Sequence, residues 1–250
     1  MTMPAATLPV ALPASPDWSH LWDEAVARLA PASPDPRGLW PALVVLAAVL
    51  ALPTLRRWGR TLTTIVHEAG HAGVGILVGR RFHGFVVGRD LGGHAVTSGK
   101  PTGPGRALTS WAGYPAPALL GLGLVAAALA GWGGAVLGVA IVVLLGLLVM
   151  SRSLLTGVLV ILSGLAALAL WWWGATWRDA AVAGLGLVLL LGAWDSLRDV
   201  AASGDPNQDH GTLASLTPLP AGFWLFTWFL ADAAATAGAA WLVWQALAQA

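Results

Sequence analysis

Apolar stretches long enough to cross a bilayer, with almost no charge inside them, constrain this chain more than any other feature. A membrane-spanning helix needs about 20 mostly apolar residues. Seven segments read that way: Leu39 to Leu55, stopped by Arg56 and Arg57; Leu62 to Gly79; Leu108 to Ala130, with Pro115 and Pro117 near its start; Gly134 to Met150; Leu154 to Trp173; Ala180 to Ala202; and Phe223 to Leu247. If the second is re-entrant, the count is six. Only 10% of the residues are charged and 57% are hydrophobic, whereas a soluble domain carries roughly 25% charged residues. So little polar material cannot cover a water-facing surface. The expected fold is an all-α polytopic membrane protein with six or seven transmembrane helices, solvated by the lipid bilayer.

Residues 1–37 form an N-terminal extension rich in Pro and Ala, and 38–250 the membrane-embedded domain. The extension lacks a basic start followed by an apolar core, so it does not read as a signal peptide. Within it, Asp17 to Leu29 fits a short amphipathic helix on the membrane surface. Counting Lys and Arg on alternate sides places Arg28, Arg37, Arg80, Arg81, Arg89, Lys100, Arg106, Arg152 and Arg198 on one side. Arg56, Arg57, Arg60 and Arg178 fall on the other. The first side, with the N-terminus, is expected to be cytoplasmic. Between the second and third spans, Phe82, Phe85, Val86, Val87, His94, Ala95 and Val96 flank turn signals at Gly88-Arg89-Asp90 and Leu91-Gly92-Gly93. That pattern fits a small β-hairpin over Arg81–Gly99 as well as an ordinary polar loop. Trp171-Trp172-Trp173, with Trp177, reads as an interfacial anchor. Gly121, Gly123, Gly131 and Gly133 suit close helix packing.

Net charge is +1, which gives no reason to expect nucleic acid as a partner. With no cysteine, a bound metal must be held by imidazole and carboxylate. The second apolar segment supplies both in His67-Glu68-Ala69-Gly70-His71. Four residues apart on a helix, His67 and His71 project from one face and can reach one Zn²⁺. Glu68 between them can act on a water at the metal without being a ligand. That is the arrangement for metal-assisted hydrolysis, in which zinc acidifies a water and a carboxylate takes its proton. The chain has six His and only two Glu, Glu24 and Glu68, and ionisable groups inside a bilayer need a partner or a wet cavity. Three within five positions of an apolar segment share a reason, and a metal supplies it.

Catalytic zinc takes three protein ligands plus water. His83, His94 and His210 are candidates for the third, as are Asp195, Asp199, Asp205, Asp209 and Asp232. Depth along the sixth span favours Asp195: it lies about 10 Å before the span's end, as His71 does in its own. Asp209 is the alternative. Asp232, inside the last span, fits a structural hydrogen bond or a proton-linked role equally well.

These residues resemble the site-2 protease-like intramembrane zinc metallopeptidases, in particular their compact M50B-like branch. The resemblance runs from about Thr61 to Trp224. It rests on the His-Glu-Ala-Gly-His string, Val78-Gly79-Arg80-Arg81, Gly92-Gly93, Ala112-Gly113-Tyr114-Pro115 and Gly192-Ala193-Trp194-Asp195, with Gln208-Asp209-His210 and Leu213-Ala214 standing for that branch's Ser-Asp-Ala element. It implies a membrane peptidase in which His67, His71 and a distant Asp bind zinc and Glu68 is the general base. The better-known members carry the third ligand in a Leu-Asp-Gly string, which this chain lacks. The expected reaction is hydrolysis of a peptide bond in or beside a substrate protein's transmembrane helix, whose unwound stretch the hairpin could hold as an added strand. The rival reading is a transporter or scaffold that binds metal or protons without hydrolysis; Glu68 between the ligands is what such a carrier does not need. Oligomeric state and substrate identity leave no mark in the sequence.

Overall fold

A computed structural model of the chain describes residues 18–33, 36–87, 93–151 and 154–248. Helix α1 (Trp18–Ala27) is followed by α2 (Trp40–Ala51), α3 (Pro53–Leu77), the strands β1 (Arg81–Val87) and β2 (Gly93–Ser98), α4 (Pro104–Trp111), α5 (Pro115–Leu129), α6 (Gly133–Met150), α7 (Leu154–Trp173), α8 (Trp177–Ser203), α9 (Asp209–Leu216) and α10 (Ala221–Ala248). The expected helical architecture is present, and so is the hairpin. β1 and β2 pair antiparallel, with Phe82 opposite Thr97, Gly84 opposite Val96 and a bulge between Phe82 and Gly84. The turn signals at Gly88 to Gly92, the separator Arg152-Ser153 and Asp17 at the start of the first helix lie outside the described residues.

Among the described residues, two helices, α8 and α10, are long and apolar enough to cross a bilayer. The number is four if each of two bent pairs counts as one span, and the apolar helices Gly133–Val149 and Gly157–Trp173 are shorter. Length and composition alone thus give two to four spans, beside the six or seven expected from the sequence. Proline accounts for the bends. Pro53 and Pro115 each occupy the first turn of a helix, where a fixed φ and a missing N–H are tolerated, while the preceding helix must stop. The α2/α3 pair bends by 105° and α4/α5 by 59°. Arg56 and Arg57, read in the sequence as the stop of a first span, lie inside the first turns of α3.

α8 is the central helix and touches α2, α3, α5, α6, α7 and α10. It crosses α5 at a pair of glycines: a Cβ on Gly121 would sit 2.7 Å from the Gly186 carbonyl oxygen, and the reverse holds for Gly186. Small residues let the two backbones touch, the usual means of helix association where lipid removes the hydrophobic drive. Gly123, by contrast, faces open space. α3 runs parallel to α8, because the contacts Gly59 to Val188 and Thr63 to Gly192 advance together along both helices. Leu43, Val139, Val142, Leu145, Leu162 and Leu230 point outward, as a lipid-facing surface requires. β2 lies against α3, which puts the hairpin beside the helix that carries the histidines.

Candidate metal centre

The i, i+4 spacing does on α3 what the sequence leads one to expect. His67 Nε2 and His71 Nε2 are 3.0 Å apart. The acid that joins them is Asp209, whose Oδ2 lies 3.1 Å from His71 Nε2 and 3.4 Å from His67 Nε2. One ligand atom from each of these three residues falls within a 4.8 Å group. Donors at about 2.0–2.1 Å from a tetrahedral zinc stand about 3.3–3.4 Å from one another. The three observed separations are close to that edge length, so the residues fit such a metal.

Asp209 arrives from the first turn of α9. Leu213, one turn further on the same helix, is fully buried in a cluster with Leu197, Val200 and Trp228, so α9 is seated against α8 and α10. Burial alone would raise the Asp209 carboxyl, but the two imidazoles against it hold it well below the usual carboxylate range.

The break between α4 and α5 completes the site. Thr109 is in the last turn of α4, where carbonyls lack an intrahelical partner. Its oxygen lies 2.6 Å from His71 Nδ1. The Nδ1–H therefore donates to Thr109, and Nε2 is left to present its lone pair to the metal position. Gly113 lies directly over the pair: a Cβ there would come 2.4 Å from His71 Nε2 and 2.7 Å from His67 Cε1. Any side chain at 113 would fill the cradle. Tyr114 packs edge-on against the His67 ring at 4.6 Å and stacks on Trp228 at 4.2 Å, so His67 is held by an aromatic column. Glu68 is partly buried between the ligands on α3, near enough for its charge to act on His71 and Tyr114.

Asp195, the first choice for a third ligand, is not in this group; Asp209, the alternative, is. Arg56 holds it in a fork, Nη2 to Oδ1 at 2.8 Å and Nε to Oδ2 at 3.1 Å, and Arg198 Nη2 is 3.6 Å away. The depth argument placed Asp195 at the right height, since Gly192 is level with Thr63 and His67 is one turn on. It said nothing about which way the carboxylate points around α8. Arg56 and Arg198, which the charge count assigns to opposite sides of the bilayer, both reach Asp195, and Arg60 pairs with Asp199.

Among the other candidates, His83 contacts the Ser98 hydroxyl at 2.6 Å, and the side chain of His94 lies outside the described residues. His210 is buried beside Asp209 with Nδ1 unpartnered, and Asp232 is buried with one unpartnered oxygen. Neither belongs to the group of three, nor do Asp199 and Asp205. The sequence reading missed the Thr109 carbonyl and the packing role of Gly113, although a glycine just before Tyr-Pro marks a helix break.

A family model for Peptidase M50B-like proteins matches residues 40–239. No curated protein and no solved structure matches the chain. The matched range contains His67, His71 and Asp209, Glu68 and Gly113, together with the apolar helices that make this an integral membrane protein. The chain belongs to the Peptidase M50B-like family.

Proposed function

We propose that this protein is an intramembrane zinc metallopeptidase that hydrolyses a peptide bond in or beside a transmembrane segment of a substrate protein. The observation that carries this reading is the meeting of His67 Nε2, His71 Nε2 and Asp209 Oδ2 at tetrahedral-edge separations next to Glu68. Zn²⁺ bound by these three residues would polarise the scissile carbonyl and acidify water beside it.

The chain's own groups supply the rest. The Glu68 carboxylate accepts the proton of the attacking water and returns it to the leaving amine, the general-base role its place between the ligands allows. Thr109 keeps the His71 proton on Nδ1. Tyr114 and Trp228 hold the His67 ring, and Gly113 keeps the space above both rings clear. The β1–β2 hairpin beside α3 offers main-chain donors and acceptors to an unwound substrate stretch, because a helical substrate must release its carbonyl from internal bonds before attack.

The test is a Glu68→Gln protein assayed with membrane-protein substrates in proteoliposomes. It should keep its zinc and lose proteolysis; retained cleavage would count against the reading. A carrier that needs no general base would be indifferent to the change.

A further inference from the structure

Trp177 opens α8, and its ring lies 6.3 Å from that of Trp40. Tryptophans gathered at a helix end mark the level of lipid headgroups. Asp195 follows about 27 Å further along the same helix, close to the roughly 30 Å of a bilayer's hydrocarbon core. The side chains around Asp195 therefore stand near the opposite headgroup level.

Those side chains are arginines. Arg56 takes both oxygens of Asp195, with Nη2 2.8 Å from Oδ1 and Nε 3.1 Å from Oδ2. Arg198 approaches the same carboxylate at 3.6 Å and Asp199 at 3.9 Å, while Arg60 holds the other oxygen of Asp199. Arg56, Asp195, Arg198, Asp199 and Arg60 thus form one run of contacts between α3 and α8. Arg57 is three residues before Arg60, a neighbour on the helix surface. Its exposed side chain forms no ion pair among the described residues. Four guanidinium groups share two carboxylates, so the cluster keeps an excess of positive charge.

This excess is turned outward. The side chains of Arg198 and Arg60 are 68% and 46% exposed. Leu52, Leu55 and Trp58, which flank Arg56 and Arg57 on α3, are exposed as well. A surface that mixes guanidinium groups with leucine and tryptophan suits the layer where lipid headgroups meet acyl chains.

We propose that this arginine cluster is a docking surface for anionic phospholipid, with phosphodiesters on Arg57 and Arg198 and acyl chains along Leu52, Leu55 and Trp58. Basic clusters at the membrane surface attract lipids of net negative charge, and a guanidinium fork matches phosphate oxygens. A zwitterionic lipid brings its own ammonium and leaves the excess charge unanswered. An acidic peptide would answer the charge but leave the exposed leucines and Trp58 uncovered. The surface is separate from the peptidase centre and does not rest on that reading.

The full chain in neutral detergent would be titrated with phosphatidylglycerol, with chain-matched phosphatidylcholine, with inorganic phosphate and with a glutamate-rich peptide, following thermal unfolding by tryptophan fluorescence. Ligand binding to the folded state raises Tm. Phosphatidylglycerol should raise it saturably, and the other three should not. In a protein carrying both Arg57→Gln and Arg198→Gln, half-saturation should need about tenfold more lipid, roughly 1.4 kcal/mol of affinity. Asp195 and Asp199 keep Arg56 and Arg60 in that protein; Arg57→Gln alone, which breaks no ion pair, should show a smaller change of the same sign and serves if the double variant does not fold. Arg178→Gln, at the other end of α8, should leave half-saturation unchanged. An equal response to phosphatidylcholine or phosphate, a full response to the peptide, unchanged saturation in both Arg57 variants, or an equal loss in Arg178→Gln would each overturn the proposal.

Discussion

His71 Nδ1 lies 2.6 Å from the carbonyl oxygen of Thr109, so a hydrogen bond ties the helix of the candidate metal ligands to the end of α4. The break that frees this carbonyl also brings Gly113 over the imidazoles. The α4/α5 bend is therefore part of the candidate metal centre and not merely a connection between helices.

From this follows the consequence of a methyl group at position 113. Gly113→Ala places a Cβ where the His71 Nε2 lone pair must face the ion, and zinc affinity should fall by at least about 10–100-fold, the range seen when groups supporting a metal site are lost. Gly123→Ala, which faces open space, should leave it unchanged. Zinc competition with a chromophoric chelator measures both.

The crossing of α5 and α8 depends on Gly121 and Gly186 touching backbone to backbone. Gly121→Val should destabilise the protein by about 1–3 kcal/mol, the usual cost of overpacking. Lower thermal stability in micelles, with zinc stoichiometry retained in the folded fraction, is the expected outcome.

Substrate handling can be separated from metal binding through the hairpin. Val86 and Val96 belong to the paired strands, and proline at either position interferes with the ladder or its regular backbone. Cleavage should drop severalfold or more while zinc content stays at the wild-type level. Equal losses of zinc and cleavage would argue that the hairpin only supports the fold.

Much of this protein is legible in its sequence, for identifiable physical reasons. A spacing of four residues puts His67 and His71 on one helical face whatever surrounds them. Turn residues between short β-prone runs fit the hairpin, though they fit a polar loop as well. Long apolar stretches give the helices. What resists reading is direction. Depth along a helix can be counted, but whether Asp195 faces the histidines or Arg56 depends on how α8 is rotated against α3, which the Thr63–Gly192 contact decides. Asp209 comes from a helix of eight residues, too short to stand out by hydropathy. The bend at Leu52 was equally hidden: Pro53 begins a new helix, so Arg56, Arg57 and Arg60 lie along α3 and do not mark a loop between two spans.

The Arg56–Asp195 fork has its own consequence. Removing the carboxylate in Asp195→Asn should lower thermal stability by loosening α3 from α8, yet leave His67, His71 and Asp209 in place. An unfolding scan with zinc analysis on the same sample reads both effects.

The central claim is that His67, His71 and Asp209 together hold zinc. Metal analysis of purified wild-type, His71→Ala, Asp209→Ala and Asp195→Ala proteins tests it most directly. About one zinc per chain is expected in the wild type and in Asp195→Ala, with loss in His71→Ala and Asp209→Ala. Zinc retained by Asp209→Ala and lost from Asp195→Ala would contradict the account.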